Sequence, residues 1–354
     1  MTRPLKFKRA QKQDIPVLDE FNTVGESAWL YEFWPDNGQE GILYTALDEA
    51  ERMVGIEGYV KYPMLSPQGE ITTHRSERTL VCPSQRGKGV FASLVEKCDV
   101  DALREGSEFC WGSTSALRPF SKAGFTPCTG WRTYLFFSAT PKLSKTFLTT
   151  LRSIKVTKLM KRARRDRSYT LKAQLLSAAS VFLPKPHLSK GWVANPVLAA
   201  EVEATNLASQ AANRAGIVLP ITSGLDLWLS SKGIQNRYLL LQFQNEVVGY
   251  AAYTLTAYAD SPKISEITDF YLAPGHRAPD ALGCIIDYLS NCENVASAYL
   301  ALNAANELHR EYLSEIPLSM ALRLRNRGSF VLKGLKNAQI QMKDLLVTGT
   351  WFQL

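Results

Sequence analysis

Four histidines and six cysteines are spread through 354 residues, and no two cysteines stand as Cys-x-x-Cys. That scarcity leaves no ligand spacing for structural zinc and no dithiol redox pair, so no metal is expected. Cys82, Cys98, Cys110, Cys128, Cys284 and Cys292 include several in apolar strand or helix stretches, where reduced buried thiols are the expectation. No apolar run approaches a membrane span. The basic opening Met1-Thr2-Arg3-Pro4-Leu5-Lys6 leads into alternating strand residues rather than an apolar signal core, which predicts a cytoplasmic protein. Acidic side chains are nearly missing from one stretch: residues 141–190 hold 13 basic and one acidic residue, and the net charge of +8 is concentrated there. Apolar content of 45% is enough for two cored domains.

The basic stretch has no proline between Pro141 and Pro184, and Phe147, Leu148, Leu151, Ile154, Leu159 and Met160 form a rough apolar stripe. A helical connector over 141–195 is predicted. Three readings stand for its charge: a solvated face of a packed helix, a surface for anionic lipid or for a lipid- or nucleotide-linked sugar, and nucleic-acid binding. The last is the least supported, because no aromatics are interleaved for base stacking.

The segment richest in chemical information is Val81-Cys82-Pro83-Ser84-Gln85-Arg86-Gly87-Lys88-Gly89-Val90-Phe91, between an apolar strand and a helix expected from Val90 to Leu103. Gly87 and Gly89 let successive N–H groups turn toward one anion, and the helix start adds unpaired N–H groups and a positive dipole end. Arg86 and Lys88 supply mobile positive charge, and a pyrophosphate is the natural occupant. A Walker loop would need Ser or Thr after the lysine, whereas Gly89 follows Lys88. A dinucleotide fingerprint would need a third glycine and a parallel βαβ setting.

The loop resembles the acetyl-CoA loop of the GNAT N-acetyltransferases, Arg/Gln-x-x-Gly-x-Gly/Ala, with Arg86, Gly89 and Phe91 at its three fixed positions. Phe91 departs from the small residue expected last, and it is placed to crowd the phosphates or to line a pantetheine channel. The surrounding order agrees with that family across residues 1–140. Leu5–Arg9 reads as a strand, and Asp14 as the cap of a helix through Phe21. A helical stretch follows around Trp29, Leu30 and Phe33, and then a hairpin of Ile42–Leu47 and Met53–Tyr62. Ile71–Cys82 leads into the loop and Phe109–Trp111 is a short strand. Phe120-Ser121-Lys122-Ala123-Gly124-Phe125 matches the family's helix end with Gly124 as a left-handed cap, and Trp131–Phe137 reads as a closing strand.

The second half repeats the first faintly. Val54-Gly55-x-x-x-Tyr59 recurs as Val248-Gly249-x-x-x-Tyr253, and Pro83-x-x-Arg86 recurs as Pro274-x-x-Arg277 before an apolar helix, Leu282–Leu289. Gly87, Lys88 and Gly89 become Ala278, Pro279 and Asp280, which deletes a donor and adds a negative charge. The expected architecture is α+β: two GNAT-like domains in tandem, each a mixed, mostly antiparallel sheet flanked by helices. An acetyl-CoA-binding domain is placed at 1–140 and a degenerate partner at 196–354, an arrangement similar to two-domain bacterial GNAT proteins. The terminal segments Ser329–Leu335 and Thr348–Phe352 resemble that group and equally read as a core strand and an aromatic-sealed end.

The resemblance implies direct transfer of an acetyl group from acetyl-CoA to a primary amine of a small molecule, an amino sugar among the candidates. Pantetheine would pair with main chain at Thr79, Leu80 and Val81, with Arg86, Gly87, Lys88, Gly89, Val90 and Phe91 at the diphosphate, and an N–H near Val81 would polarise the thioester. Alternation places Arg75, Glu77, Thr79 and Val81 on one strand face and His74, Ser76, Arg78 and Leu80 on the other. Glu77 is the first candidate base, Glu57 the second and His74 the third. The family's usual tyrosine acid is replaced by Phe120, leaving Tyr134 or solvent to protonate the thiolate. Two other readings are a Fem-like aminoacyl-tRNA-dependent transferase, which would not use CoA, and a non-catalytic acetyl-CoA-binding protein.

Overall fold

The structure is a computed structural model that describes residues 5–21, 41–114, 116–128, 131–137, 190–231, 233–256, 263–317, 321–324, 329–335 and 340–347. The expected helix around Trp29, most of the basic connector and the Thr348–Phe352 segment lie outside them. Contacts divide the chain into two units, Met1–Thr129 with Arg327–Met342, and Gly130–Asn326 with Lys343–Leu354.

In chain order the first unit contains β1 (Lys6–Arg9), α1 (Ile15–Phe21), β2 (Ile42–Leu47), β3 (Met53–Ser66), β4 (Gly69–Val81), α2 (Val90–Arg104), β5 (Phe109–Thr114), α3 (Leu117–Lys122) and β6 (Thr126–Cys128). The second begins with β7 (Trp131–Phe137), β8 (Trp192–Val197), α4 (Ala199–Glu203), α5 (Leu207–Ala215), β9 (Ile217–Val218) and α6 (Ser223–Ser231). It continues with β10 (Arg237–Phe243), β11 (Glu246–Thr256), β12 (Lys263–Leu272), α7 (Ala278–Glu293), β13 (Val295–Asn303), α8 (Glu307–Glu315) and β14 (Ala321–Leu324). Last in the chain come β15 (Ser329–Gly334), of the first unit, and β16 (Leu345–Leu346), of the second, which pairs with β9.

Local chemistry accounts for most of these elements. The β2–β3 turn is closed by Asp48, whose Oδ1 accepts from the N–H groups of Ala50 and Arg52. In α2 the buried residues Val90, Leu94, Val95, Cys98 and Ala102 recur at helical spacing. Val95, Cys98 and Ala102 pack with Ile42, Tyr59, Cys110, Phe120, Phe125 and Val331, and Val90 and Leu94 pack with Ala46 and Val54. Gly124 carries a φ of +92° after α3, as expected. Asp14 directly precedes α1, and its carboxylate accepts from the Gln11 N–H.

Both sheets follow one pattern. The first runs β1-β2-β3-β4-β5-β15-β6, with β4 and β5 parallel and the other neighbours antiparallel. The second runs β14-β7-β13-β12-β11-β10-β8, with β12 and β13 parallel. The expected boundaries need correction here. Trp131–Phe137, placed in the 1–140 domain, lies in the second sheet between β13 and β14, and Ser329–Gly334, placed in the 196–354 domain, lies in the first between β5 and β6. Each sheet therefore takes one strand from the other half of the chain. The apolar pattern of each strand demands partners on two edges and cover on its faces, and it does not state which sheet supplies them.

Phe330 in β15 is fully buried and stacks on Trp111 of β5 with ring centroids 5.9 Å apart. Phe330→Ala is expected to cost about 3–5 kcal/mol in urea unfolding. Hydrogen exchange should localise the loss to Phe109–Thr114; unchanged protection there would contradict the strand assignment.

Candidate functional site

The site begins where β4 loses a neighbour. Parallel pairing with β5 covers only Thr73–Arg75 against Phe109–Trp111, although β4 continues to Val81 and β5 to Thr114. Beyond Arg75 no strand among the described residues pairs with the outer edge of β4. Cys82 N–H donates to Val54 O at 2.9 Å, so the next pair, Val81 with Gly55, is a non-hydrogen-bonded one whose polar groups face that open edge. Val81 O accepts from Arg86 Nε at 3.1 Å, and among the described residues no strand faces Val81 N–H.

The same stretch contains a bulge. Ile56 pairs with Leu80 but Gly58 pairs with Glu77, so Arg78 and Thr79 together oppose Glu57, and Arg78 has a φ of +51°. This corrects the expected alternation. Ser76 and Thr79, placed on opposite faces by counting, share one: Ser76 Oγ donates to Glu57 Oε1 at 2.6 Å and Thr79 Oγ1 to Glu57 Oε2 at 2.5 Å.

After β4 a single turn of 3-10 helix, Pro83–Gln85, leads into the loop, and Lys88 Nζ rests on Gln85 Oε1 at 3.1 Å. Gly87 and Gly89 have φ values of +81° and +84°, and a Cβ at either would meet nothing within 4 Å. Backbone conformation demands these glycines, and the surface beside them is open. The first bond of α2 is Ser93 N–H to Gly89 O, which leaves the N–H groups of Val90, Phe91 and Ala92 without an intrahelical acceptor. Loop, helix start and open strand edge are contiguous. They fit an extended ligand with an anionic end.

Phe91 does not reach toward the loop alone. Its ring packs on Phe120 at 4.9 Å, which packs in turn on Phe125 at 5.1 Å. Phe120 is buried in that trio and supplies no proton.

The candidate bases differ sharply in setting. Glu57 is fully buried, and burial pushes its carboxyl up to about 8 against the lowering effect of the two hydroxyls. Asp99 on α2 adds to the rise; it accepts from Tyr59 OH at 2.7 Å and from Lys333 Nζ of β15 at 2.5 Å. Glu77 is half-buried in an ion pair with Arg75, whose guanidinium lies 5.6 Å from the Trp111 ring centre. His74 is buried with Nε2 3.1 Å from Glu105, just past the far end of α2 from the loop. Tyr134 is buried in the second sheet, where it pairs with Leu300 and Arg323, and it belongs to the second unit. Among the described residues no group of three or more His, Cys, Asp or Glu is placed to hold a metal, and no helix is long and apolar enough to cross a membrane.

The second unit keeps the scaffold and fills it. Ala273 N–H donates to Val248 O and Leu272 pairs with Gly249, so Leu272 is the counterpart of Val81. Its N–H donates to Tyr312 OH of α8 at 2.9 Å, and its carbonyl accepts from Arg214 at 3.1 Å. At the start of α7, Ala278 N–H donates to Glu315 at 2.8 Å. A hydroxyl and a carboxylate of the unit itself thus hold main-chain N–H groups of this junction, while Arg214 holds the carbonyl as Arg86 holds that of Val81. Spacing revealed only Pro279 and Asp280; Tyr312 and Glu315 lie some 40 residues away and carry no signal. Counting also misses Asp269, which pairs with Ala252 as Glu77 pairs with Gly58, and whose buried carboxyl is pushed up to about 7.

No family model matches the chain, and no curated protein matches it in sequence. Solved structures match it in fold. A GCN5-related N-acetyltransferase from Anabaena variabilis ATCC 29413 aligns with a TM-score of 0.58 at 13% identity, over 93% of this chain and 72% of that one. A conserved protein from Enterococcus faecalis V583, described as a probable N-acyltransferase, gives 0.60 at 12% identity, over 94% and 72%. Eis1 from Mycobacterium abscessus gives 0.52 at 12% identity, over 94% and 73%. With the parallel splay, the bulge and the glycine loop in place, the chain has the α+β fold of the GCN5-related N-acetyltransferases.

Proposed function

We propose that the first unit is an acetyl-CoA-dependent N-acyltransferase acting on a primary amine of a small molecule. One observation carries the reading: an edge of β4 that no strand among the described residues covers runs directly into a loop whose glycines hold left-handed conformations at the start of α2. Such an edge offers main-chain groups to an extended amide-bearing chain, and the helix start offers N–H groups and positive potential to a diphosphate.

Bound acetyl-CoA would supply an activated acyl group as its thioester. Thr79, Leu80 and Val81 would hold the pantetheine arm. The N–H groups from Gly87 to Phe91, with Arg86 and Lys88, would hold the diphosphate. Val81 N–H is the donor best placed to favour negative charge on the thioester oxygen. The second unit is not assigned a cofactor, because Glu315 and Tyr312 already satisfy main-chain N–H groups at its junction. Buried Phe120 favours one competing reading, a protein that binds acetyl-CoA without turning it over.

Acetyl-CoA at a hundred times its Kd is expected to stabilise the protein by about 2.7 kcal/mol in thermal unfolding. Gly89→Val, which puts a branched side chain at a φ of +84°, should abolish most of that shift, whereas Glu315→Ala in α8 should leave it intact. Release of free CoA thiol on adding primary amines, amino sugars among them, separates an enzyme from a silent binder. No acetyl-CoA shift in the unaltered protein would sink the proposal.

A further inference from the structure

Glu57 is the one carboxylate directly opposite the bulge, yet its exposure is 0%, so no amine in the cleft touches it. What does reach it is Thr79, an exposed residue of the open β4 edge, whose hydroxyl donates to Glu57 Oε2 at 2.5 Å. Ser76 Oγ holds the other carboxylate oxygen at 2.6 Å and fixes its orientation. In an unbulged strand Thr79 and Ser76 would point to opposite faces. The bulge is what lets one carboxylate take both.

We infer that Thr79 and Glu57 form a proton relay from the cleft into the core, with Thr79 as the group that meets the acceptor amine. The inference rests on the acyl-transfer reading above. As the amine nitrogen bonds to the acyl carbon, an N–H proton passes to Thr79 Oγ1, while the hydroxyl's own proton passes to Glu57 Oε2. The C–S bond breaks with its electron pair on sulfur, and the thiolate takes a proton from solvent. Glu57 then returns its proton through Thr79, so the relay ends as it began and needs no other reactant. Glu57 acts only through Thr79 and is a positioning residue.

The neighbours of Glu57 set when it can accept. On its own strand Tyr59 lies on the same face; across from it on β2 is Tyr44, whose hydroxyl is bound to Asp101. On α2 are Cys98, whose thiol donates to Glu57 O, and Asp99, which is held by Tyr59 and Lys333. On β5 is the buried Cys110, and burial pushes it and Cys98 up, so both stay neutral thiols. No cation touches the carboxyl among the described residues, and it loses its proton near pH 8.

The test measures CoA thiol release from acetyl-CoA between pH 6 and 10 with glucosamine and with benzylamine, two amines of different basicity. The relay requires an ascending limb near pH 8 at the same position for both amines. Glu57→Gln should erase that limb and lower kcat about 10²-fold, Thr79→Val should do likewise, and Thr79→Ser should restore most of the rate. A second readout needs no turnover. A carboxyl that titrates at about 8 when folded and 4.5 when unfolded binds more protons in the native state between those values, so its stabilising contribution is lost as pH rises through that window. Tm should therefore fall less from pH 5 to pH 8 in Glu57→Gln than in the unaltered protein. An active Glu57→Gln protein that keeps the limb overturns the relay and leaves acyl transfer standing. Acetyl-CoA binding with no thiol release from either amine overturns both.

Discussion

Backbone polar groups at the junction of a strand and a helix must find partners, and this molecule solves that demand in two ways. At the end of β12, Tyr312, Arg214 and Glu315 close around Leu272 and Ala278. At the end of β4, the loop glycines Gly87 and Gly89 lie at a surface that would admit an added Cβ without contact. The fold is otherwise the same: one parallel pair, splayed, with a helix starting at the splay. Whether such a junction is a ligand site or a piece of core depends on what side chains approach it from elsewhere.

The bulge on β4 is the second organising feature. An extra residue in one strand turns two hydroxyls toward a carboxyl that the apolar surroundings would otherwise keep from being accommodated. The neighbouring Asp99 is likewise accommodated by Tyr59 and Lys333 rather than exposed. Lys333 belongs to the strand contributed by the C-terminal part of the chain, so the polar network under α2 is completed only when that strand is in place.

Legibility in the sequence followed the range of the interactions. The glycine loop, the β2–β3 turn, the left-handed Gly124 and the amphipathic α2 could all be read from residues a few positions apart, because each answers a local conformational demand. The acidic and proline changes at Asp280 and Pro279 also flagged the second loop as altered. By contrast, Trp131–Phe137 and Ser329–Gly334 were legible as strands but not as members of their sheets. The face assignment of Thr79 failed at Arg78, a non-glycine residue at positive φ that nothing in its neighbours announces. Glu57 was visible as a strand glutamate, while its desolvation and its bond to Thr79 were not.

Residue order alone settles which segments are strands or helices, where the chain must turn, and which loop has the glycines to face an anion. Those are short-range steric and hydrogen-bonding preferences, encoded within a few residues. Folding in three dimensions settled which strand entered which sheet, which face Thr79 took, and which carboxyl was taken out of water. Each of these is a contest between partners far apart in the chain, decided by burial and by satisfaction of polar groups, and no local pattern records the winner.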